Sequence, residues 1–465
     1  MSMLSLRQAA MMLPPECHAT VRGDADTVFA RVHSDTRSLQ AGDLFVALRG
    51  ERFDGNDFVA RAAAAGAVAA LVHPSAQLPE GYPALIVADT KQALAALAHA
   101  WRMRFALALA VVTGSNGKTT TKEMIASIFR AAVGDDAVLA TAGNLNNDIG
   151  LPLTLLRLRA GHRLAVIELG MNHPGETALL ARIAAPTVAL VNNAQREHQE
   201  FMATVEAVAQ EHADALRALG TSGVAVFPAD DTYTDLWRQA AGGRECLTFS
   251  THPETDSACL AGVSRQNGLE IRIQRGSMVS SAGVSLSIDG AHNHHNALAA
   301  AAVAVACGLD DDAIVRGLES FRPAKGRMQR VGGLPFALID DSYNANPDSV
   351  RAAINVLAPL AGKRLLVLGD MGEVGDQGPA FHAEVGAHTA EQRIDLLVAM
   401  GEACRESVRA CLAAGGRAIH VESPAAAVDA LMQEQPGAGD TVLVKGSRFM
   451  AMERVVEEIK KRGGA

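Results

Sequence analysis

The sequence has few aromatic residues, no long apolar run and no excess of basic residues. Its formal net charge is −9, which argues against a broad nucleic-acid-binding surface, because such a surface needs a surplus of lysine and arginine. A transmembrane helix needs about 20 consecutive apolar residues, and the alanine-rich stretch 297–307 is too short. The first residues also make a poor signal peptide, since Gln8 and the run 14–16 interrupt their apolar segments. We therefore expect no nucleic-acid partner and no stable membrane insertion.

Cysteine is also scarce, and the six cysteines are scattered with no C-x-x-C pair. This usage is typical of reduced, mostly buried thiols. We therefore expect a soluble protein of the cytoplasm.

The length of 465 residues predicts about three domains, each large enough for its own core. Strand-like apolar runs alternate with helical stretches, which predicts an α/β fold, doubly wound in the last domain. Short alternating segments between residues 262 and 288 predict an antiparallel edge or a small second sheet. We place the domains at residues 1–83, 84–322 and 323–465.

The most informative stretch is VVTGSNGKTT, from Val111 to Thr120. It joins a predicted buried strand, 107–112, to a predicted helix, 118–130, through a loop with two glycines. Backbone N–H groups of such a loop favour an anion, Lys118 adds positive charge, and a threonine hydroxyl can ligate magnesium. The loop is shorter than the strict G-x-x-x-x-G-K-[ST] pattern, whose first glycine would fall at Val112. The stretch predicts a phosphate site of a nucleotide-binding protein.

Glu168 is a second candidate magnesium ligand, because it ends the apolar run 164–169. A carboxylate at the end of a strand beside the phosphate loop lies where a further oxygen ligand is needed. The alternative is a solvated glutamate without a role.

Further stretches, taken together and in order, resemble the motifs of the Mur ligase family. In the first domain they are HSDTR (33–37), GDLFVAL (42–48) and FDG (53–55). In the middle domain they are TGSNGKTT (113–120), GNLNN (143–147), ELGMN (168–172) and HNHHNALAA (292–300). In the third they are KGR (325–327), DSYNANPDS (341–349) and KGSR (445–448). The YNANP run is most like the dipeptide-adding member of the family.

The resemblance implies an N-terminal UDP-sugar-binding domain, a central P-loop domain that binds ATP, and a C-terminal Rossmann-like domain. It implies an ATP-dependent amide ligase that adds D-alanyl-D-alanine to a UDP-N-acetylmuramoyl tripeptide in peptidoglycan precursor synthesis. The γ-phosphoryl group of ATP would convert the tripeptide carboxylate to an acyl phosphate, which the dipeptide amine attacks, releasing phosphate. ATP and Mg²⁺ are the implied cofactors, and we expect a monomer.

The same resemblance assigns roles to individual residues. The catalytic residues are Lys118, Glu168 and Arg327, and the metal ligands are Thr119, Glu168 and His198. The expected ATP-binding residues are Thr113, Gly114, Ser115, Asn116, Gly117, Lys118, Thr119, Thr120, Asn293, Asn296, Arg327 and Asp341. Those for the UDP-linked substrate are Ser34, Arg37, Asn144 and Asn147, and those for the dipeptide are Asn344, Asn346 and Arg448. Because Arg327 and Asp341 lie in the third domain, catalysis should require domain closure.

One feature of the family is missing from this chain. Many members carry a middle-domain lysine whose carbamate helps to hold magnesium, but no lysine occurs here between Lys122 and Lys325. The best alignment puts His212 at that position, with Glu211 as the alternative if the helix is offset by one residue. A neutral imidazole could ligate a metal or hold a metal-bound water, but it supplies no negative charge. The other reading is that His212 has no role and the metal relies on Glu168 and water.

Two other functions stay open at this point. Another ligase of the superfamily, adding a single amino acid or extending a folate, would share the phosphate loop, although the segment 34–48 speaks against the folate enzyme. A P-loop switch or assembly ATPase would share residues 114–119 but would not need the UDP-sugar segment or the loop 341–349. The sequence does not decide whether the third peptide residue is diaminopimelate or lysine.

Overall fold

The structure is a computed structural model that describes residues 2–255, 258–265 and 268–463. It has three α/β domains, as predicted. Among the helices of these ranges, none has both the length and the apolar character needed to cross a membrane.

The first domain is built on a small, mostly parallel sheet. Its strands are β1 (Leu4–Ser5), β2 (Thr20–Arg22), β3 (Val28–Phe29), β4 (Arg31–His33), β5 (Asp43–Val46), β6 (Ala69–Val72) and β7 (Ala84–Ile86), and its helices are α1 (Leu6–Met12) and α2 (Val59–Ala64). The sheet order is β2-β7-β6-β5-β4, and β1 pairs with β3 beside it.

The sheet corrects the predicted boundary after residue 83. Strand β7 pairs with β6 on one side and with β2 on the other, so the first domain extends at least to Ile86. The run before β7 resembles a linker in sequence but is a turn of this domain, since the Tyr82 hydroxyl donates a 2.8 Å hydrogen bond to the carbonyl of Ala67.

The middle domain is the largest. Its strands are β8 (Ala108–Thr113), β9 (Val138–Ala140), β10 (Leu164–Glu168), β11 (Val188–Val191), β12 (Val224–Pro228), β13 (Glu245–Ser250), β14 (Leu260–Arg265), β15 (Gly268–Arg275) and β16 (Met278–Val284). Its helices are α3 (Thr90–Arg102), α4 (Lys118–Val133), α5 (Gly150–Leu155), α6 (Glu176–Ala184), α7 (Val205–Arg217), α8 (Thr234–Ala241), α9 (Ala291–Ala306) and α10 (Asp311–Ser320). The sheet order is β16-β15-β14-β13-β12-β11-β8-β10-β9. Strands β14, β15 and β16 are antiparallel, which confirms the predicted antiparallel edge.

Strand β8 lies between β11 and β10 in this sheet. Val111 and Val112 are fully buried because helices cover both faces of a parallel sheet. Residues 297–304 of α9 are also fully buried, since small alanine side chains let this helix pack closely against the sheet and α4. The carboxyl ends of β8, β10 and β11 therefore open at one edge, where parallel sheets bind ligands.

The third domain is a doubly wound sheet, as predicted. Its strands are β17 (Gln329–Val331), β18 (Ala337–Asp341), β19 (Arg364–Gly369), β20 (Leu396–Met400), β21 (Ala418–Val421) and β22 (Thr441–Lys445), and its helices are α11 (Pro347–Leu357), α12 (Gly378–Glu391), α13 (Cys404–Ala413), α14 (Pro424–Gln433) and α15 (Glu453–Gly463). The order is β17-β18-β22-β19-β20-β21, with only β17 antiparallel among these strands. The carboxyl ends of β18 and β22 face the phosphate loop of the middle domain, and Asn346 Nδ2 donates to Asn116 Oδ1 across the gap at 2.9 Å.

Candidate active site

The phosphate loop joins β8 to α4 through two glycines with positive φ, Gly114 at 134° and Gly117 at 80°. A side chain at Gly117 would place its Cβ 2.3 Å from Asn296 Oδ1, so the close approach of α9 requires glycine here. Sequence reasoning predicted both the loop and the helix, although α4 continues to Val133 rather than ending at Arg130.

Lys118, the lysine of this loop, is folded back onto the protein. Its Nζ donates to the carbonyls of Gly114 (2.5 Å) and Ser115 (3.3 Å) and to Glu197 Oε2 (3.0 Å). These three contacts satisfy the donors of the ammonium group.

Glu197, which sequence reasoning missed, is therefore the charge partner of Lys118. It follows β11 in the loop 192–200, and its other oxygen, Oε1, accepts a 2.9 Å hydrogen bond from His212 Nε2. Burial disfavours the carboxylate, but Lys118, His212 and His198 outweigh burial and lower the pKa of Glu197 to about 2. The sequence contains a histidine at position 212, where many family members have a lysine whose carbamate is negatively charged. This difference indicated that another residue supplies the charge, but it did not indicate which one.

The structure places His212 behind Glu197 rather than at a metal. Its Nδ1 lies 2.9 Å from Thr113 Oγ1, and its Nε2 is used by Glu197. Since a carboxylate can only accept, Nε2 carries hydrogen, and neither ring nitrogen is left for metal ligation. That part of the sequence-based expectation for His212 is wrong.

Glu211, the alternative to His212, is used elsewhere. Its carboxylate accepts the backbone N–H groups of Gly175 and Thr177, each at 2.8 Å. It therefore stabilises the start of α6, where unpaired N–H groups and the helix dipole favour a negative charge.

Glu168 ends β10, as predicted, and fits a magnesium ligand. Asn146 Nδ2 donates to its Oε1 at 2.7 Å, whereas its buried Oε2 has no hydrogen-bond partner among the described residues. A buried carboxylate oxygen without a donor needs a cation or water nearby. Thr119 lines the same cleft, so the donor set suits a hard cation such as Mg²⁺.

His198 lies at the rim of this cleft in a left-handed backbone conformation, with φ at 47°. This conformation is uncommon for a residue with a side chain and is found preferentially at functional sites. Its Nδ1 lies 2.8 Å from Oε2 of Glu373 in the third domain, and its Nε2 lies 4.0 Å from Glu197 Oε2.

Asparagines form the opposite wall, beside the phosphate loop. Asn296 Oδ1 accepts from Asn192 Nδ2 at 2.9 Å, and Asn296 Nδ2 donates to Asn293 Oδ1 at 3.1 Å. The neighbouring histidines have separate contacts, since His294 bonds Ser264 and His295 bonds the carbonyl of Asn192. Burial lowers the pKa of His292 to about 4.

The third domain supplies the far wall. Arg327 stacks over the Tyr343 ring, with 4.1 Å from its guanidinium carbon to the ring centroid. Asp341 Oδ2 accepts from Lys445 Nζ at 2.6 Å, and both residues line the cleft. Asn344 and Asn346 line the cleft as well, and the Asn346 side chain also caps α11 and contacts Asn116.

The cleft has a volume of about 720 Å³ and brings together most of the predicted residues from the middle and third domains. Asn144 and Asn147 line it, and Asn147 Oδ1 also accepts the N–H of Gly150. Five predicted residues are absent from the described lining of this cleft: Ser34, Arg37, Thr113, Gly114 and Arg448. Arg37 pairs with Asp35 at 2.7 Å and Arg448 with Glu453 at 3.0 Å, and both arginine side chains are mainly exposed.

A second cluster, Asp370, His382 and Cys404, lies buried in the third domain with its ligand atoms within 4.8 Å of one another. Asp370 accepts the N–H of Cys404 at 2.8 Å, and His382 accepts from the N–H of Met371 while contacting the carbonyl of Gly378. Burial raises the pKa of the Cys404 thiol well above its usual value, which disfavours the thiolate that a metal needs. These contacts give the cluster a structural role.

Comparisons with known proteins cover nearly the whole chain. Sequence profiles of the Mur ligase family match in order: the catalytic domain at residues 29–102, the middle domain at 112–304 and the glutamate ligase domain at 326–448. The UDP-N-acetylmuramoyl-tripeptide–D-alanyl-D-alanine ligase of Escherichia coli is 39% identical over 94% of this chain and 95% of its own length. A crystal structure of MurF from Acinetobacter baumannii has a TM-score of 0.87 at 34% identity, covering 97% of this chain and 98% of its own. MurF from Thermotoga maritima, in complex with ADP, has a TM-score of 0.79 at 26% identity, covering 93% and 97%.

Proposed function

The chain belongs to the Mur ligase family, and we propose that it uses Lys118, Glu168 and Arg327 to join D-alanyl-D-alanine to a UDP-N-acetylmuramoyl tripeptide. It is an ATP-dependent peptide ligase of peptidoglycan synthesis, and the product is the UDP-N-acetylmuramoyl pentapeptide. What supports these residue roles is that the phosphate loop and Glu168 share one cleft with Arg327 and Asp341 of the third domain. An amide ligase needs this arrangement, since the phosphoryl donor, the carboxylate and the amine must meet in one place.

Lys118 acts on the phosphates of ATP. Its ammonium group leaves the loop carbonyls and Glu197 and contacts the β- and γ-phosphates, while the N–H groups at the start of α4 hold the same anion. The tripeptide carboxylate attacks the γ-phosphorus, the bond to the β-phosphate oxygen breaks, and an acyl phosphate and ADP result.

Magnesium, when bound, neutralises charge on the phosphates as this bond breaks. Thr119 and Glu168 would hold it, and the unpartnered Oε2 of Glu168 supports that assignment. Arg327 adds a second positive charge from the third domain, where Tyr343 fixes the guanidinium plane.

The dipeptide enters from the side of the third domain. Its amine attacks the acyl carbon, and phosphate leaves with the bonding electrons while the amine loses a proton. Asn344 and Asn346 are at the cleft and are the proposed contacts of the dipeptide. Asn293 and Asn296 would meet the nucleotide base, and Asp341 the ribose.

We also propose that the enzyme works as a monomer in the cytoplasm. ATP and a UDP-linked substrate are supplied there, and the six cysteines are unpaired. Light scattering coupled to size-exclusion chromatography should give the mass of one chain, and a larger mass would contradict the monomer.

A single assay tests the function. The purified chain is mixed with ATP, Mg²⁺, UDP-N-acetylmuramoyl tripeptide and D-alanyl-D-alanine, and phosphate and pentapeptide are measured. Phosphate release should require both co-substrates and equal the pentapeptide formed. Release of phosphate without the dipeptide and without a product would instead indicate an ATPase.

A further inference from the structure

We propose that Glu197 is a metal ligand in the nucleotide-bound enzyme. It would join His198, which the family resemblance already assigns to a metal, at a second cation site beside the one at Glu168. This inference rests on the proposed function, since it requires Lys118 to move to a phosphate. Neither the comparisons nor the sequence motifs assign a role to Glu197.

Glu197 already faces a positive charge. Its Oε2 contacts the Lys118 ammonium at 3.0 Å, so a cation already occupies the place where a metal would stand. When Lys118 turns to a phosphate, this oxygen loses the ammonium group that donates to it. A buried carboxylate left unpaired is strongly unfavourable, and a divalent ion entering at the same oxygen removes that penalty.

His198 is placed between two carboxylates. Its Nδ1 lies 2.8 Å from Glu373 Oε2, although this pair does not meet hydrogen-bond geometry. Its Nε2 is the ring nitrogen on the side of Glu197. A carboxylate that orients a histidine by its other nitrogen is the usual outer partner of a metal-binding imidazole.

The distance between His198 and Glu197 suits two ligands of one metal ion. His198 Nε2 and Glu197 Oε2 are 4.0 Å apart. Two ligands at about 2.1 Å from one octahedral ion lie about 3.0 Å apart when adjacent and about 4.2 Å apart when opposite. One ion therefore fits between these two atoms with little movement. Phosphate oxygens and water would complete its shell, as is usual for Mg²⁺.

The chemical type of the two side chains also fits a shared site. An imidazole alone is a poor ligand for Mg²⁺, which prefers oxygen, so His198 needs a carboxylate beside it. Glu168 Oε2 is a separate buried oxygen of the same cleft without a hydrogen-bond partner among the described residues. No lysine between residues 122 and 325 is available to supply a carbamate instead.

His212 and Thr113 keep Glu197 in place for this role. The buried His212 imidazole bridges the two residues. Its Nδ1 lies 2.9 Å from Thr113 Oγ1, and its Nε2 lies 2.9 Å from Glu197 Oε1. It satisfies one carboxylate oxygen and leaves Oε2 directed into the cleft. His212 is thus a positioning residue.

Mn²⁺ binding tests the proposal without relying on turnover. Free Mn²⁺ is measured by electron paramagnetic resonance in the presence of UDP-tripeptide and a non-hydrolysable ATP analogue, for the full-length protein and for E197Q. We expect two Mn²⁺ ions per chain in the unaltered protein. In E197Q one of them should bind at least about 10-fold more weakly, the scale seen when support for a metal ligand is removed.

Two further variants make the result specific. Glu123→Gln is the matched control. Glu123 is also a carboxylate paired with a lysine, the buried Lys122, but it lies outside the described lining of the cleft. This variant should therefore bind both Mn²⁺ ions. His198→Ala leaves the Lys118 pair intact and should lose the same ion as E197Q, together with any nitrogen coupling in the spectrum of bound Mn²⁺.

Unchanged Mn²⁺ number and affinity in E197Q would overturn the proposal and leave Glu197 as the partner of Lys118 alone. Loss of an ion in E197Q but not in His198→Ala would overturn the shared site. Failure of the proposed function is distinguishable, because it appears as absent pentapeptide in the ligation assay whatever the Mn²⁺ count.

Discussion

Glu168 and Glu197 are two buried carboxylates of the same cleft, and their surroundings differ. Glu168 ends a regular strand and has one oxygen bonded to Asn146 and one without a partner among the described residues. Glu197 lies in a loop, with both oxygens held by Lys118 and His212. Glu168 therefore has an oxygen free to bind a cation, whereas Glu197 already binds the ammonium group of Lys118. The contrast suggests that one metal position exists before ATP binds and the other forms only when Lys118 moves.

The largest effect should come from Lys118→Ala. We expect kcat to fall by about 10²-fold or more, since a charge partner of the transferring phosphoryl group is lost. Stability should fall as well, by about 3 kcal/mol, because the variant leaves Oε2 of the buried Glu197 carboxylate without its cation. Thermal melting and phosphate release measure the two effects.

The double variant K118A/E197Q separates these effects. It should regain most of the lost stability and none of the activity. A single K118A variant with near-normal turnover would contradict the phosphate role of Lys118.

Glu168→Gln should reduce turnover by about 10²-fold, since a neutral amide holds magnesium poorly. Unlike K118A, this variant should melt near the unaltered protein, because no buried cation loses its partner. A magnesium titration of kcat should show a higher half-saturation point. An unaltered titration would remove Glu168 from the metal site.

Arg196→Ala tests the link between the loop that carries Glu197 and the third domain. Arg196 donates to Asp348 and to Glu384, both at 2.6 Å, and Glu384 also accepts from Arg351. We expect small-angle scattering to show compaction of the unaltered protein when nucleotide and UDP-tripeptide are both bound, and less compaction in the variant, with kcat lower by about 10-fold.

Arg351→Ala is the matched control, because Arg351 pairs with Glu384 inside the third domain. It should leave the scattering change intact. Identical radii of gyration in every ligand state of the unaltered protein would contradict domain closure.

His212→Ala should raise the magnesium half-saturation point by about 10-fold while changing ATP affinity less, since it frees Glu197, and its other contact is to the Thr113 side chain rather than to a backbone N–H group of the phosphate loop. Removing bicarbonate should have no effect on activity, because the middle domain has no lysine beyond Lys122 to form a carbamate. Activity that falls in carbon-dioxide-free buffer and returns with bicarbonate would refute the second expectation.

The smallest expected effect is the pH dependence of the melting temperature that comes from the contact between Glu384 and Arg196. Hydrogen bonds from Arg196 outweigh the effect of burial and lower the pKa of Glu384 to about 2. A carboxylate whose pKa is lower in the folded state stabilises it above the unfolded value, about 4.3, and this stabilisation is lost as the pH falls toward 2. Glu384→Gln should therefore lower the melting temperature at pH 7 and make little difference near pH 2. An equal shift at both values would contradict the assignment.

Much of this molecule was determined by local sequence. The strand, two glycines and Lys118 predict the phosphate loop because each acts through the backbone of neighbouring residues. Glu168 was predictable for the same reason, since the end of an apolar run marks the end of a strand. The order of the motifs predicted the family and the three domains.

Tertiary structure alone decided the rest. Lys118, Glu197, His212 and Thr113 are brought together by the pairing of β8 with β11 and by the packing of α7 beneath them, which no periodicity in the sequence reveals. The same packing places Glu211 against the start of α6 and His212 against Glu197. Which of these neighbouring residues reaches Glu197 depends on the rotation of α7 about its axis. Sequence determines which residues can carry charge, but only the folded chain determines which charges meet, because burial and partner distance set the energy of each one.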